Sequence, residues 1–165
     1  MEYTTIDISI PSLSEKPLIE QMMQLYRYDM SEFDGSDLGH YGRFSYDYLD
    51  SYWTDDSRTP LIIRVSGNLA GFVLVNQHSY TGDGRYSIAE FFIMRKYRGK
   101  GIGKFIAHRV FDQFGPLWEV RQTKENMAAQ SFWRRVIEKY TDGSFEEFPA
   151  GRGEWPGPIQ IFERK

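Results

Sequence analysis

A strand that runs directly into a glycine-rich turn and then into a helix is the feature that most restricts how this chain can fold. An apolar run over residues 88–94 is followed by Arg-Lys-Tyr-Arg-Gly-Lys-Gly-Ile-Gly-Lys, from Arg95 to Lys104. Because glycine has no Cβ, the backbone of this turn can approach a bulky ligand closely. The apolar spacing over residues 104–114 predicts the helix that follows. Three glycines alternate with other residues in the turn: Gly99, Gly101 and Gly103.

The start of that helix is predicted to bind an anion. The amides of a first helical turn have no acceptor within the helix, and the helix dipole adds partial positive charge at the same end. Backbone donors and cations at one point indicate a site for a phosphate or a pyrophosphate group. The alternative is a basic turn with only a structural role. The flanking cations are Arg95, Lys96, Arg98, Lys100 and Lys104.

Two common phosphate-binding loops do not fit this segment. A Walker loop has four residues between its glycines, followed by Lys and then Ser or Thr. Here three residues separate Gly99 from Gly103, and Phe105 follows Lys104. The dinucleotide-binding fingerprint requires a glycine where this chain has Lys104. Neither class of loop matches.

A third pattern matches at every position. Residues Arg98 to Gly103 fill the motif (Arg/Gln)-x-x-Gly-x-(Gly/Ala), between a predicted strand and a predicted helix. This resembles the acetyl-CoA pyrophosphate loop of the GNAT N-acetyltransferase superfamily. A second segment, Asn-Met-Ala-Ala-Gln-Ser-Phe-Trp from Asn126 to Trp133, is similar to the family's Asn-x-x-Ala-x-x-(Phe/Tyr)-Tyr block. The resemblance covers roughly residues 61–140, about half of the chain.

Length and composition bound the class of protein. At 165 residues, the chain is expected to form a single GNAT-like domain over residues 1–165. Its longest apolar runs, such as residues 72–75, are too short to cross a bilayer, and its N-terminus lacks the features of a secretory signal. The absence of cysteine excludes disulfides, thiolate metal sites and an acyl-cysteine intermediate. These features favour a cytoplasmic protein.

The charge is distributed unevenly along the chain. Residues 29–56 hold eight acids and one base, a net of −7, whereas residues 93–139 hold eleven bases and four acids, a net of +7. Such a division predicts an anionic cofactor at the basic part and a cationic acceptor at the acidic part. For the acidic part, ordinary solvated surface charge is the alternative.

The predicted order of elements is βααβββαβαββ. It gives a mixed, mostly antiparallel sheet flanked by helices, an α/β (α+β) class, and the GNAT fold has the same order. The predicted helices are residues 14–31, with Ser14 as N-cap, then 46–53, 104–114 and 127–140. The predicted strands are residues 4–10, 60–65, 69–78, 86–94, 117–123, 145–148 and 159–162.

The resemblance implies acetyl transfer from a thioester to an amine, and Glu90 is the candidate general base. An alkyl amine has a pKa of about 10.4, so it must lose a proton before it attacks. Without a cysteine, direct attack in a ternary complex is favoured. Glu90 lies in an apolar run that should raise its pKa if the side chain is shielded. The alternative is that Glu90 faces solvent or pairs with a nearby base.

The resemblance also assigns residues to the cofactor. The backbone of the strand at Phe92, Ile93 and Met94 is implied to bind the pantetheine arm, and Asn126 either binds that arm or caps its helix. Trp133 is expected to pack beside the cofactor or in the core. The implied pyrophosphate-binding residues are Arg98, Gly99, Lys100, Gly101, Ile102, Gly103 and Lys104.

The chain departs from the family where many members carry a tyrosine that protonates the leaving thiolate. Trp133 occupies that position, and an indole cannot act as an acid near neutral pH. Either the thiolate leaves without help, or another hydroxyl takes the role. The candidates are Tyr97, Ser131 and Tyr140, of which Tyr140 is our choice.

The resemblance implies an acceptor pocket lined by the first two helices and the final hairpin. They offer acids and aromatic rings suited to an ammonium group: Tyr26, Tyr28, Asp29, Glu32, Phe33 and Trp53. No pair among His40, His78 and His108 has metal-ligand spacing, so no metal is expected.

The leading hypothesis is an acetyl-CoA-dependent N-acetyltransferase that acts on a primary amine of a cationic small molecule. Its partners would be acetyl-CoA and the amine, with no nucleic acid and no membrane, and a homodimer is left open. One alternative is a GNAT-like protein that binds CoA as a sensor without turnover. A nucleic-acid-binding module is a second alternative, which the acidic pI of 5.6 disfavours.

Overall fold

The computed structural model describes residues 4–165, and within this range it confirms the predicted fold class. The α-helices are α1 (Lys16–Asp34), α2 (Ile102–Gln113) and α3 (Met127–Thr141). The strands are β1 (Ile6–Ser9), β2 (Arg58–Val65), β3 (Asn68–Asn76), β4 (Tyr86–Ile93), β5 (Leu117–Arg121), β6 (Phe145–Phe148) and β7 (Ile159–Glu163). Single 3-10 turns occur at Leu13–Glu15, Asp50–Trp53 and Arg95–Tyr97.

The strands form a mixed, mostly antiparallel sheet in the order β1-β2-β3-β4-β5-β7-β6. The pair β4–β5 is parallel, with Ser87 opposite Glu119, and helix α2 connects the two strands. The pairs β1–β2, β5–β7 and β6–β7 are antiparallel. A parallel pair needs a long crossover connection, and here that connection carries the glycine-rich turn to the start of a helix.

The contacts divide the chain into two compact units. The first contains the residues up to Leu74 together with Glu90–Tyr97, and the second contains Val75–Ala89 together with Arg98–Lys165. The expectation of one domain over residues 1–165 stays a prediction. In the part of the chain that the structure describes, no helix is both long enough and apolar enough to span a membrane.

In the first unit, α1 buries one apolar face. Ile19, Met22 and Met23 are at most 5% exposed, and their spacing is that of one helical face. The helix starts later than predicted, since the segment before it forms a 3-10 turn in which the Glu15 carboxylate accepts a hydrogen bond from the Ser12 amide at 3.1 Å. The helix also ends later than predicted, at Asp34, followed by a left-handed Gly35.

The predicted second helix over residues 46–53 is wrong, because only Asp50–Trp53 forms a single 3-10 turn. Long-range contacts, in place of helical backbone hydrogen bonds, hold this segment and the residues just before it. The side-chain amide of Gln24 donates to the carbonyl of Phe44 at 2.9 Å and accepts from its N–H at 2.9 Å. The rings of Tyr48 and Tyr52 lie 5.6 and 5.5 Å from the Arg58 guanidinium. Tertiary contacts therefore override the local helical pattern.

The first unit also requires a glycine where β3 and β4 approach each other. A Cβ on Gly71 would lie 2.0 Å from the carbonyl oxygen of Phe92, far inside van der Waals contact. Next to it, the N–H of Met94 donates to the carbonyl of Ala70 at 2.8 Å. The end of β4 is thereby held closely against β3.

In the second unit, aromatic side chains of helices and strands form the core. The ring of Phe111 on α2 lies 5.0 Å from Trp118 on β5 and 4.8 Å from Phe162 on β7, both with edge-to-face geometry. Trp133 and Tyr140 on α3 also contact Phe111. This packing fixes α2 and α3 against the strands of the same unit.

The second unit also buries a carboxylate, that of Glu119 on β5, which is 0% exposed. It accepts hydrogen bonds from the hydroxyls of Ser79 at 2.6 Å and Thr81 at 2.5 Å, from the amides of Tyr80 and Thr81, and from the Arg121 guanidinium at 2.5 Å. Burial alone would raise the pKa of Glu119, but these hydrogen bonds outweigh it and hold the pKa below its ordinary value. The carboxylate thus anchors the connection between β3 and β4.

Candidate functional site

The glycine-rich turn adopts a backbone that side chains disfavour. Gly99 and Gly101 have φ values of 74° and 79°, in the left-handed region. A Cβ built on either residue meets no atom within 4 Å, so the requirement for glycine is conformational and not steric crowding. Gly101 is also the residue that caps the start of α2. The positive φ values of the two glycines therefore set the shape of the turn, and no neighbouring side chain or backbone covers them.

The helix begins at Ile102, two residues before the predicted start, so three of the predicted pyrophosphate-binding residues, Ile102, Gly103 and Lys104, form its first turn. The N–H of Phe105 donates to the carbonyl of Gly101 at 3.0 Å as the first backbone bond of the helix. The amides of residues 102–104 precede this bond and lie at the positive end of the helix dipole. The first turn carries no acidic side chain. Such an end can bind a phosphate group.

Of the predicted cations, the structure places three in the second unit with the turn. Arg98, Lys100 and Lys104 are all exposed there. In the first unit, Arg95 donates to the carboxylate of Asp29 at 2.7 Å, and the Lys96 ammonium lies 5.3 Å from the ring centroid of Tyr97. The positive charge in the second unit's turn therefore comes mainly from three side chains.

Asn126 and Trp133 have structural roles in the second unit. The side-chain oxygen of Asn126 accepts from the N–H of Ala129 at 3.0 Å and so caps α3. Trp133 is 6% exposed and contacts the rings of Phe132 and Phe111. The structure thus shows the helix cap and the core packing that were the alternatives for these two residues. Their predicted cofactor contacts stay predictions.

The candidates for a general acid differ in their surroundings. The hydroxyl of Tyr140 donates to the Asp112 carboxylate at 2.8 Å. Burial and then this hydrogen bond raise the pKa of Tyr140 above that of a free phenol, which weakens it as an acid. The Ser131 hydroxyl is exposed and accepts from Arg135 at 2.5 Å, and Tyr97 is buried. These contacts favour a packing role for Tyr140.

The carboxylate of Glu90 lies among aromatic side chains of the first unit. The hydroxyl of Tyr26 on α1 donates to Glu90 Oε2 at 2.5 Å, and the phenol of Tyr46 lies near the same carboxylate. The ring of Tyr26 lies 5.9 Å from Phe72 and 6.1 Å from Phe92. The alternative in which Glu90 merely faces solvent is therefore not observed, since the side chain is half-buried and accepts a hydrogen bond from Tyr26.

Both phenols near Glu90 remain protonated. Burial, and after it the charge of the Glu90 carboxylate, raise the pKa of Tyr26 and of Tyr46 well above that of a free phenol. Sequence reasoning identified Tyr26 as a substrate residue and missed Tyr46. No local pattern marks Tyr46, because the segment that carries it and β4 are distant in the chain.

The predicted acceptor residues are not gathered into one cluster. Tyr26 contacts Glu90, whereas Asp29 forms an ion pair with Arg95. Tyr28 and Glu32 are exposed on α1, and Phe33 is half-buried. Trp53 lies beside Lys16, whose Nζ is 5.8 Å from the ring centroid. Among the described residues, no group of His, Cys, Asp or Glu has a geometry that could hold a metal ion.

Comparison with known proteins identifies the family. The sequence profile of the Acetyltransferase (GNAT) family matches residues 20–137, well over half of the chain. A comparison with curated protein sequences found no match. A GNAT-family acetyltransferase from Staphylococcus aureus has a TM-score of 0.63 at 16% identity, with 98% of this chain and 100% of that chain covered.

Two further solved structures share the fold. An aminoglycoside acetyltransferase in complex with coenzyme A has a TM-score of 0.67 at 18% identity, covering 97% of this chain and 95% of that chain. A spermidine N-acetyltransferase from Vibrio cholerae in complex with CoA and spermine has a TM-score of 0.61 at 11% identity, covering 96% and 94%. At these identities the likeness shows the fold, and the family profile shows the relationship. The chain is a member of the GNAT acetyltransferase family.

Proposed function

We propose that this protein transfers an acetyl group from acetyl-CoA to a primary amine of a cationic small molecule, by direct attack in a ternary complex. The observation that carries this proposal is the left-handed turn at Gly99 and Gly101, which leads directly into the amide-rich start of α2. Fixed backbone donors and nearby cations suit the pyrophosphate of CoA. The family membership supports the same donor.

The residues that would hold the donor lie on consecutive positions of one turn. The amides of Ile102, Gly103 and Lys104 would donate to the pyrophosphate oxygens, and the Arg98, Lys100 and Lys104 side chains would add charge. Because these side chains are exposed, each would contribute a screened attraction more than a rigid contact. The backbone amides would therefore supply most of the geometric specificity. Phe92, Ile93 and Met94 are proposed to bind the pantetheine arm through their backbone, although the N–H of Met94 already donates to Ala70.

Glu90 is proposed as the general base. The amine nitrogen attacks the thioester carbonyl carbon, a C–N bond forms, and Glu90 accepts a proton that the nitrogen loses. The C–S bond then breaks and the electron pair leaves with the sulfur as the CoA thiolate. Since a thiol has a pKa near 8.5, this thiolate is a fair leaving group without a dedicated acid. The contacts of Trp133 and Tyr140 agree with that view.

A cationic acceptor is supported by the acidic segment, residues 29–56, and by the solved structures that share the fold. Those structures include enzymes for aminoglycosides and for spermidine. Ion pairs within the chain occupy part of the segment: Asp29, Asp34, Asp50 and Asp55 each pair with a base. The acids that stay exposed in it include Glu32, Asp37, Asp47 and Asp56. We therefore expect a smaller attraction for cations than the net charge of the segment suggests.

The test combines calorimetry with a thiol-release assay. Calorimetry measures the affinity for CoA, and the assay measures CoA release from acetyl-CoA with spermidine, kanamycin and a lysine-containing peptide as acceptors. Glu90→Gln should lower turnover by about 100-fold or more while CoA affinity is unchanged. Glu146→Gln is the matched control, since Glu146 is exposed on β6.

The outcomes separate the parts of the proposal. Absence of CoA binding by folded protein contradicts the donor assignment. Unchanged turnover in Glu90→Gln removes Glu90 as the base. Tight CoA binding without turnover on any amine favours the alternative of a CoA-binding sensor, which the replacement of the family tyrosine by Trp133 keeps open.

A further inference from the structure

We propose that Phe105 on α2 is a specificity-determining residue for the acetyl donor, whose side chain stacks on the adenine ring of CoA. The inference deepens the proposed function and rests on it, because the pyrophosphate must bind at the turn before α2 for the base to lie beside Phe105. It concerns a side chain outside the motif from Arg98 to Gly103.

Phe105 differs from the other large apolar side chains of α2 in its exposure. Ile102, Ile106, Val110 and Phe111 are at most 7% exposed, whereas Phe105 is 45% exposed. An exposed ring forgoes the favourable free energy that burial of its apolar surface would supply. Single exposed apolar side chains are nevertheless common on proteins, so the exposure gains its meaning from where Phe105 lies.

The position of Phe105 is next to the proposed pyrophosphate site. It follows Lys104, the last of the three residues whose amides are proposed to bind the pyrophosphate, and its own N–H donates to the carbonyl of Gly101 at 3.0 Å. In an α-helix the Cα–Cβ bond tilts toward the N-terminus, so the side chain leans toward the turn. In CoA a ribose separates the pyrophosphate from the adenine. The base of a bound donor can therefore reach a ring that borders the turn.

A guanidinium accompanies the ring on the same face of α2. Arg109 follows Phe105 by four residues, is exposed, and lies 6.0 Å from the ring centroid. The sequence from Ile102 to Phe111 contains no acid, so this part of the helix has no side chain that repels an anionic nucleotide. Nucleobases stack on aromatic rings, and arginine adds cation–π attraction. The pair therefore suits the adenosine phosphate half of CoA.

Two variants separate the aromatic ring from mere apolar bulk. Phe105→Leu removes the ring but keeps an apolar side chain that favours a helix, and Phe105→Tyr keeps the ring. Because stacking on one aromatic side chain strengthens binding by roughly 5- to 150-fold, calorimetry should show CoA affinity reduced by about that factor in Phe105→Leu. Phe105→Tyr should bind CoA as the unsubstituted protein does. The affinity for 4′-phosphopantetheine, which lacks the adenosine, should be the same in all three proteins.

The direct measurement is proton NMR of the adenine in bound CoA. A stacked aromatic ring shifts the carbon-bound protons of the base upfield, and this shift should be present in the unsubstituted protein and in Phe105→Tyr but lost in Phe105→Leu. Tyr41→Leu is the matched control, since it removes a ring that is 89% exposed in the segment between α1 and β2. This control should keep both the CoA affinity and the upfield shift.

The outcomes distinguish this inference from the proposed function. Unchanged CoA affinity in Phe105→Leu, with the upfield shift retained, overturns the inference and leaves the donor assignment intact. An equal loss of affinity for CoA and for 4′-phosphopantetheine also overturns it, because the ring would then act through the structure of the turn. Thermal scans establish that each variant is folded. Failure of the unsubstituted protein to bind CoA rejects the proposed donor site, and the inference with it.

Discussion

Replacing Gly101 by alanine tests the anion-binding turn at the start of α2. Gly101 has a φ of 79°, and a Cβ built on it meets no atom within 4 Å. Strain therefore comes only from the left-handed backbone, which disfavours an L-residue by about 1–2 kcal/mol. For a chain of this size, such a loss lowers Tm by roughly 2–8 °C.

The effect on CoA affinity should exceed the effect on stability. If alanine moves the backbone away from the left-handed region, the amides of residues 102–104 no longer converge on one pyrophosphate. Loss of one charge-assisted hydrogen bond of about 1.5–3 kcal/mol weakens binding by roughly 10- to 150-fold. Calorimetry with CoA measures the Kd of the variant and of the unsubstituted protein, whose ratio is this fold-change, and a thermal scan measures Tm.

Gly67→Ala is the matched control for the strain alone. Gly67 also has a φ of 79°, and a Cβ built on it likewise meets no atom within 4 Å, but it lies in the hairpin between β2 and β3. Both variants should therefore lose similar stability, and only Gly101→Ala should lose CoA affinity. Equal CoA affinity in the two variants would refute the assignment of the turn to the pyrophosphate.

Two further changes test individual side chains. Tyr140→Phe should lower the free energy of unfolding by about 0.5–1.5 kcal/mol, through loss of the hydrogen bond to Asp112, and keep turnover; lost turnover at unchanged stability would instead restore Tyr140 as the general acid. Because the folded-state pKa of Glu119 lies below its unfolded value, its contribution to stability is present above the ordinary carboxyl range and is lost as pH falls through the folded pKa. Denaturant titrations should therefore show that Glu119→Gln is less stable by about 3 kcal/mol at pH 7. Its free energy of unfolding should also fall less on acidification than that of the unsubstituted protein. Parallel acid dependence in the two proteins would contradict this account.

Local sequence patterns predicted most of the helices and strands and the membership of the GNAT family. The three glycines from Gly99 to Gly103 and the cations around them are adjacent in the chain, so the turn and the helix after it could be inferred from spacing alone. The structure places the start of that helix at Ile102, a correction of two residues. Helix ends depend on capping and backbone geometry, which spacing describes only approximately.

The predicted helix over residues 46–53 shows where local reasoning failed. Tyr46 lies near Glu90 instead, and Tyr48 and Tyr52 pack on Arg58. Asp29, a predicted ligand for an ammonium group, similarly pairs with Arg95. In each case the contact depends on how the chain folds back on itself, and no periodicity records it.

The order of residues was sufficient for the strand, turn and helix around Gly101, because backbone conformation and helix-end charge are properties of neighbouring residues. The surroundings of Glu90 were settled by folding, which brings the Tyr26 hydroxyl to its carboxylate, and the Tyr46 phenol near it, from segments that the chain separates. A carboxylate's ionisation depends on burial and on donors within a few ångströms. Those distances exist only after the helix has packed on the strands.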